Sequence, residues 1–105
     1  MKAYLILDFK VTDLGAFMEY VSRIPAFIAK HEGRYLVEGV KAKVIEGNWS
    51  PDTIVVLEFA SREKAENFLD DPEIAPLFAI RHQSTDSNLV LVNGGSWRDA
   101  VNQTA

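Results

Sequence analysis

The chain is predicted to fold as an α+β ferredoxin-like sandwich, a four-stranded antiparallel sheet with helices on one face. Three observations carry this expectation. The structured runs follow the order strand, helix, strand, strand, helix, strand. The first and third strand runs are the most apolar, as the central strands of such a sheet must be. Residues 33–61 read as one long hairpin leading directly into a helix start.

Each element has a local reason. In residues 2–11, Ala3, Leu5, Leu7, Phe9 and Val11 share one face and Tyr4, Ile6 and Asp8 the other, which predicts a strand buried on both sides. Thr12 or Asp13 then caps a helix whose stripe of Leu14, Phe17, Val21, Ile24 and Ile28 keeps the helical period to about His31. Gly33 is its natural stop and Pro25 a kink. A strand over about 34–46, with Gly39 as a bulge, pairs through the turn Gly47–Asp52 with a strand over 53–59. Ser61 caps a second helical region that turns Ala65, Phe68 and Leu69 inward, breaks at Asp70-Asp71-Pro72, and resumes near Pro76 with Leu77 and Ile80. The last strand runs from Asn88 to Asn93. Residues 1–94 are read as the domain, and 95–105 as a polar tail that is disordered or pinned by Trp97.

Composition narrows the partners. A chain of 105 residues makes one domain able to bury roughly two-thirds of its unfolded surface without a staple. The absence of cysteine removes disulfides, thiolate nucleophiles and thiolate metal sites. Eleven basic against fifteen acidic residues give a net charge of -4 with neither sign in a block, so no nucleic-acid partner is expected. The apolar start, Ala3 to Leu7, is too short for a signal core or a membrane span. A soluble, cytoplasmic protein is expected, with no membrane partner. His31 and His82 lack any metal-ligand spacing, so no metal is expected. Dinucleotide, nucleoside triphosphate and serine-hydrolase motifs are absent too, and no cofactor is expected.

Two helical regions can cover only one face of the sheet. The other would expose Tyr4, Ile6, Ile54, Val56, Val90 and Val92 as one patch, larger than a soluble monomer usually shows. A second copy is the simplest cover, giving a two-fold homodimer with sheets back to back.

Strand directions sort the polar residues to two ends. Asp8, Trp49, Arg81 and His82 share one, where an indole could cover an apolar ring, a guanidinium could hold a carboxylate or enolate oxygen, and Asp8 or His82 could move a proton. On this reading Asp8, Arg81 and His82 are the catalytic candidates, and Trp49 and Arg81 the ligand-binding ones. The structural alternative has Arg81 on its own helix carbonyls or paired with Asp8, and Trp49 packed on its turn or on the partner. Tyr4, His31, Arg34 and Glu58 form a second candidate cluster at the other end. Its alternative is an Arg34–Glu58 cross-strand pair with Tyr4 hydrogen-bonded to it, and His31 on the last helix carbonyls.

The segments GRYLVEG at 33–39, VIEGNWSPDTIVVLEFASREKA at 44–65, DDPE leading on to Arg81, and the closing LVLVNG at 89–94 resemble the domain of unknown function family 1330, a member of the dimeric α/β-barrel superfamily. The resemblance runs from about Lys2 to Gly94. It implies the sandwich and the homodimer, and no reaction, because the family has no assigned activity. The chain departs from the family pattern at Glu38, where relatives tend to carry a basic residue, at Gly39-Val40 in place of a glycine pair, and at Pro76. Superfamily relatives include cofactor-free monooxygenases and isomerases that hold aromatic or polyketide-like substrates between sheet and helices. Two classes therefore stay open: a cofactor-free enzyme or binder acting on a small anionic or enolisable aromatic or keto compound, and a non-enzymatic dimeric interaction or regulatory module. An apolar cavity of roughly 300 Å³ or more near Arg81 would favour the first.

Overall fold

The alternating run at the start of the chain becomes β1 (Ala3–Val11), and its two apolar sides are explained by its place in the middle of the sheet. The computed structural model describes residues 1–99. After β1 come α1 (Leu14–Lys30), β2 (Arg34–Lys41), β3 (Thr53–Phe59), α2 (Arg62–Asp70), α3 (Ala75–Ser84) and β4 (Thr85–Asn93). The four strands are antiparallel in the order β2-β3-β1-β4, so the first and third strands are central, as their composition predicts. Residues 100–105 lie outside the described residues, and with them most of the expected tail. Trp97, the residue expected to pin an ordered tail, is exposed.

The caps follow the sequence. Asp13 accepts from the Ala16 amide at 3.2 Å and Ser61 from the Lys64 amide at 3.2 Å, each satisfying one orphan N–H of a first helical turn. At the end of α1 the left-handed residue is Glu32 (φ 60°), while Gly33 serves for close approach. A Cβ on Gly33 would stand 2.6 Å from Phe59 Cε1. Gly33 donates to the Ile28 carbonyl at 2.9 Å, closing the helix end. α1 runs as one segment through Pro25. β4 starts directly after α3, three residues before the predicted start at Asn88, and β2 stops at Lys41, five short of the predicted end.

α1, α2 and α3 lie on one face. Beneath them Ala3, Leu5, Leu57 and Phe59 of the central strands pack with Ile24 and Ile28 of α1, Ala65 and Phe68 of α2, and Ile74 and Leu77 before and within α3. Phe59, Phe68 and Phe78 continue through this core with ring centroids 5.3 and 5.6 Å apart. A smaller cluster of Leu7, Phe9 and Phe17 fills the opposite end. Leu14, assigned to the buried stripe by period, is exposed at the first turn of α1, and Val21 is only part-covered.

None of α1, α2 and α3 covers the other face. Ile6, Ile54 and Val56 are adjacent across it, with Val90 and Val92 exposed beside them. β2 adds Val37 and Val40, opposite Val56 and Ile54. The apolar patch expected from the sequence is therefore present. Residues 42–51 between β2 and β3 come back over it, with Val44, Ile45 and Trp49 bordering a hollow floored by Ile6 and Ile54.

Candidate functional site

The register of β2 decides the site. In antiparallel pairs, residues directly opposite share a face. Arg34 lies opposite Glu58 on the open face, and Tyr35 opposite Leu57 on the helix face. Strict alternation would then send Glu38 to the open side. Instead the register shifts between Tyr35 and Val37 and again between Glu38 and Val40, so that Glu38 lies opposite Val55, on the helix side. The second shift is the expected bulge, with Gly39 at φ 73°. The first, at Leu36, was not foreseen.

Glu38 and Gly39 thereby border a cleft of about 350 Å³ between α1 and the sheet, within the roughly 300–1,000 Å³ typical of small-molecule sites. Its walls are apolar, from Leu7, Phe9, Phe17, Val21, Val55 and Leu57, and its polar groups are few: Tyr20, Tyr35, Glu38 and Thr53. Burial pushes the Tyr35 phenol up to about 12, and the nearness of Tyr20 and Glu38 adds to the effect. Burial also raises Tyr20, while the Arg81 guanidinium beside it pulls the value back. Neither tyrosine is among the site residues expected from the sequence. The available signal was that each is a polar-tipped aromatic next to an apolar stripe.

The first predicted cluster divides between the two faces. Trp49 Nε1–H donates to Asp8 Oδ2 at 2.7 Å, and Asn88 Nδ2–H to Asp8 Oδ1 at 3.0 Å, all on the open side of the sheet. Trp49 remains 62 % exposed. Arg81 is on the helix side, 4 % exposed, and its Nη1 donates to the Ser87 hydroxyl at 3.1 Å. Strand direction gave the correct end for both, since Ser87 pairs with Phe9 and Asn88 with Asp8, but the pleat sends neighbours to opposite faces. The expected convergence of Asp8, Trp49 and Arg81 is not formed, and neither is an Asp8–Arg81 pair. His82 is exposed on α3. Arg81 does not cap its own helix: Ser84 donates to the Ile80 carbonyl and Thr85 to the Arg81 carbonyl, both at 2.7 Å. The guanidinium packs instead between the rings of Tyr20 and Phe78, 6.0 and 5.5 Å from their centroids.

The second cluster forms in part. Glu58 Oε1 accepts from Arg34 Nε at 2.8 Å and from Lys2 Nζ at 3.0 Å, and these two cations hold its carboxyl below the usual range, Lys2 most. Tyr4 lies opposite Glu58 in register, but Lys2 takes the second hydrogen bond. His31 is elsewhere: its Nε2 lies 2.8 Å from Asp71 Oδ2, tying the end of α1 to the α2–α3 junction, where Lys30 reaches the same oxygen at 2.9 Å. The His31 and Lys30 contacts and the Glu73 amide hold Asp71 well below the usual carboxylate range. His31 is thus a structural clasp on the helix layer.

The domain of unknown function DUF1330 matches residues 2–95, and the chain belongs to that family. No curated protein matches it. Among solved structures it is similar to a protein of unknown function from Rhodopseudomonas palustris, at TM-score 0.71 and 13% identity over 90% of this chain and 83% of that one. It is also similar to SnoaB, a cofactor-independent oxygenase from Streptomyces nogalater, at TM-score 0.61 and 14% identity, covering 90% of this chain and 94% of the other. A third likeness is to a dimeric ferredoxin-like protein of unknown function from Jannaschia, at TM-score 0.67 and 12% identity over 90% of this chain and all of that one, 100%. At these identities the shared property is the fold. Among the described residues no helix is long and apolar enough to cross a membrane.

Proposed function

We propose that this domain binds a small aromatic or keto compound in the cleft between α1 and the sheet, and that it works as a homodimer joined through its open sheet face. The observation that carries the ligand reading is the cleft itself, an apolar space of about 350 Å³ with two tyrosines and one carboxylate on its walls. A mostly apolar pocket with a few convergent polar groups is the form small-molecule sites take. The likeness to a cofactor-independent oxygenase is fold-level support only.

The chemistry open to these residues is proton movement. With an enolisable ketone in the cleft, Glu38 would take the proton from the carbon beside the carbonyl. The C–H electron pair moves into the enolate, whose oxygen carries the charge, and a tyrosine hydroxyl donates to that oxygen. Where the ketone is β,γ-unsaturated the dienolate also carries charge at its γ-carbon, and returning the proton there shifts the double bond and completes an isomerisation with no external oxidant. The dimer is supported by the exposed patch of Val40, Val90 and Val92, with half-buried Val37 beside it, and by the dimeric state of the Jannaschia protein.

The test is a thermal-shift screen of phenols, aromatic acids and 1,3-diketones against the wild type and Val21→Trp, which fills the cleft mouth. A ligand at about a hundred times its Kd should stabilise the wild type by about 2.7 kcal/mol and lose this effect in the variant. A hit that stabilises both proteins equally places the ligand outside the cleft. No hit in the whole set would favour the dimeric interaction module.

A further inference from the structure

Arg81 leaves the helix side of the sandwich with a charge unaccounted for. The residue is 4 % exposed, and its Nε–H has no acceptor among the described residues. Every ion pair formed among those residues involves other groups. The Ser87 hydroxyl and the faces of Tyr20 and Phe78 offer dipoles and quadrupoles but no net negative charge. Buried guanidinium groups are ordinarily paired, because desolvating a cation is costly. The exceptions cluster where a ligand supplies the missing charge. Tyr20 links this cation to the cleft, since its ring lies beside the guanidinium and also forms part of the cleft wall.

We infer that the missing counter-charge is the ligand's: the cleft takes a phenol, naphthol or enolised 1,3-dicarbonyl as its oxyanion, seated at the Tyr20 end, with Arg81 acting on it through Tyr20. The inference rests on the cleft being the ligand site. On binding, the ligand's O–H bond breaks, the electron pair stays on oxygen, and the proton leaves to water. Tyr20 donates its hydroxyl hydrogen to the oxyanion, and Arg81 stabilises the charge that Tyr20 then shares. Arg81 is accordingly a positioning residue. The sign of the effect is diagnostic, because an apolar cleft without a buried cation would favour the neutral phenol. At Tyr20 itself burial outweighs Arg81 and the phenol stands raised overall, but the pull of Arg81 on it has the direction required on a ligand oxygen next to it.

The experiment follows the ionisation of bound 4-nitrophenol, whose phenolate is yellow and whose phenol is colourless, with 4-nitroanisole as the shape-matched probe that cannot ionise. In the wild type the bound phenol should ionise at least about one pH unit below the free one, a tenfold preference for the anion. Arg81→Met should abolish that preference, Arg81→Lys restore part of it, and Tyr20→Phe reduce it while leaving the core filled. If Arg81→Met fails to fold, the Tyr20→Phe comparison carries the test. A bound ionisation unchanged or moved upward in the wild type, or a downward shift that survives both variants, overturns the inference and leaves the cleft reading standing. If neither probe binds, or if both bind Val21→Trp as well as wild type, the cleft reading falls and takes the inference with it.

Discussion

The two faces of the sheet each hold a buried charge, and they treat it in opposite ways. On the open face Glu58, 8 % exposed, is covered by Lys2 and Arg34, whose own side chains remain largely in water. On the helix face Arg81 has a hydroxyl, two aromatic rings and no carboxylate among the described residues. Glu58 needs nothing further and reads as structure. Arg81 is left incomplete beside a cleft, as in a site that waits for its ligand. The same contrast holds for shape: the open face presents a broad apolar patch suited to a second sheet, and the helix face a concave space suited to a small molecule.

The strongest way to break this comparison is at the open face. Val56→Asp would place an unpaired carboxylate in the proposed interface at a cost of several kcal/mol, so sedimentation should show a folded monomer where the wild type sediments as a dimer. A wild type that is monomeric at micromolar concentration, or a variant of unchanged size, would remove the interface.

Next come the two charges themselves, for which opposite signs are expected. Glu58→Gln should lower the melting temperature, because Lys2 and Arg34 lose their counter-charge. Arg81→Met should leave ligand-free stability unchanged or raise it by up to about 2 kcal/mol, since a buried cation without a partner is replaced by an apolar chain. Equal destabilisation by both would mean that Arg81 is paired within the folded chain.

Acid and base titration sharpen the contrast further. The carboxyls of Glu58 and Asp71 are lowered in the folded state, so the unfolded chain binds more protons. Their stabilisation is complete above the ordinary carboxylate range of about 4 and is lost as pH falls through the depressed folded values. Tyr35 has the reverse sign. Raised to about 12, its contribution is intact below the ordinary phenol value and fades as pH climbs toward its folded value. Phenolate absorbance should show one tyrosine titrating near 12 in the folded protein and missing in Tyr35→Phe. Titration of all tyrosines together near 10 would mean that the cleft is wet.

The smallest effect belongs to Trp49. Trp49→Phe removes the hydrogen bond to Asp8 from an exposed indole, and the stability change should stay under about 1 kcal/mol by chemical denaturation. A much larger loss would mean that the partner subunit covers Trp49, tying this residue to the dimer.

The order of elements, the central place of β1 and β3, a cap at Thr12 or Asp13 and one at Ser61, and the bulge at Gly39 were legible in the sequence, because each depends on residues a few positions apart, and the structure chose Asp13. So was the Glu58–Arg34 pair, which requires only two neighbouring strands. The site was not legible. Strand direction assigns a residue to an end of the sandwich, but a strand residue's face follows from the pleat, which put Asp8 on the open face while Arg81 sits in the helix layer. Local composition gave no sign of the register shift at Leu36. That single shift turns Glu38 from the open face to the cleft, because in a strand of period two one extra residue reverses every side chain beyond it. Only tertiary pairing could decide it, since a bulge without a glycine is stabilised by the strand it faces and by what that strand already buries.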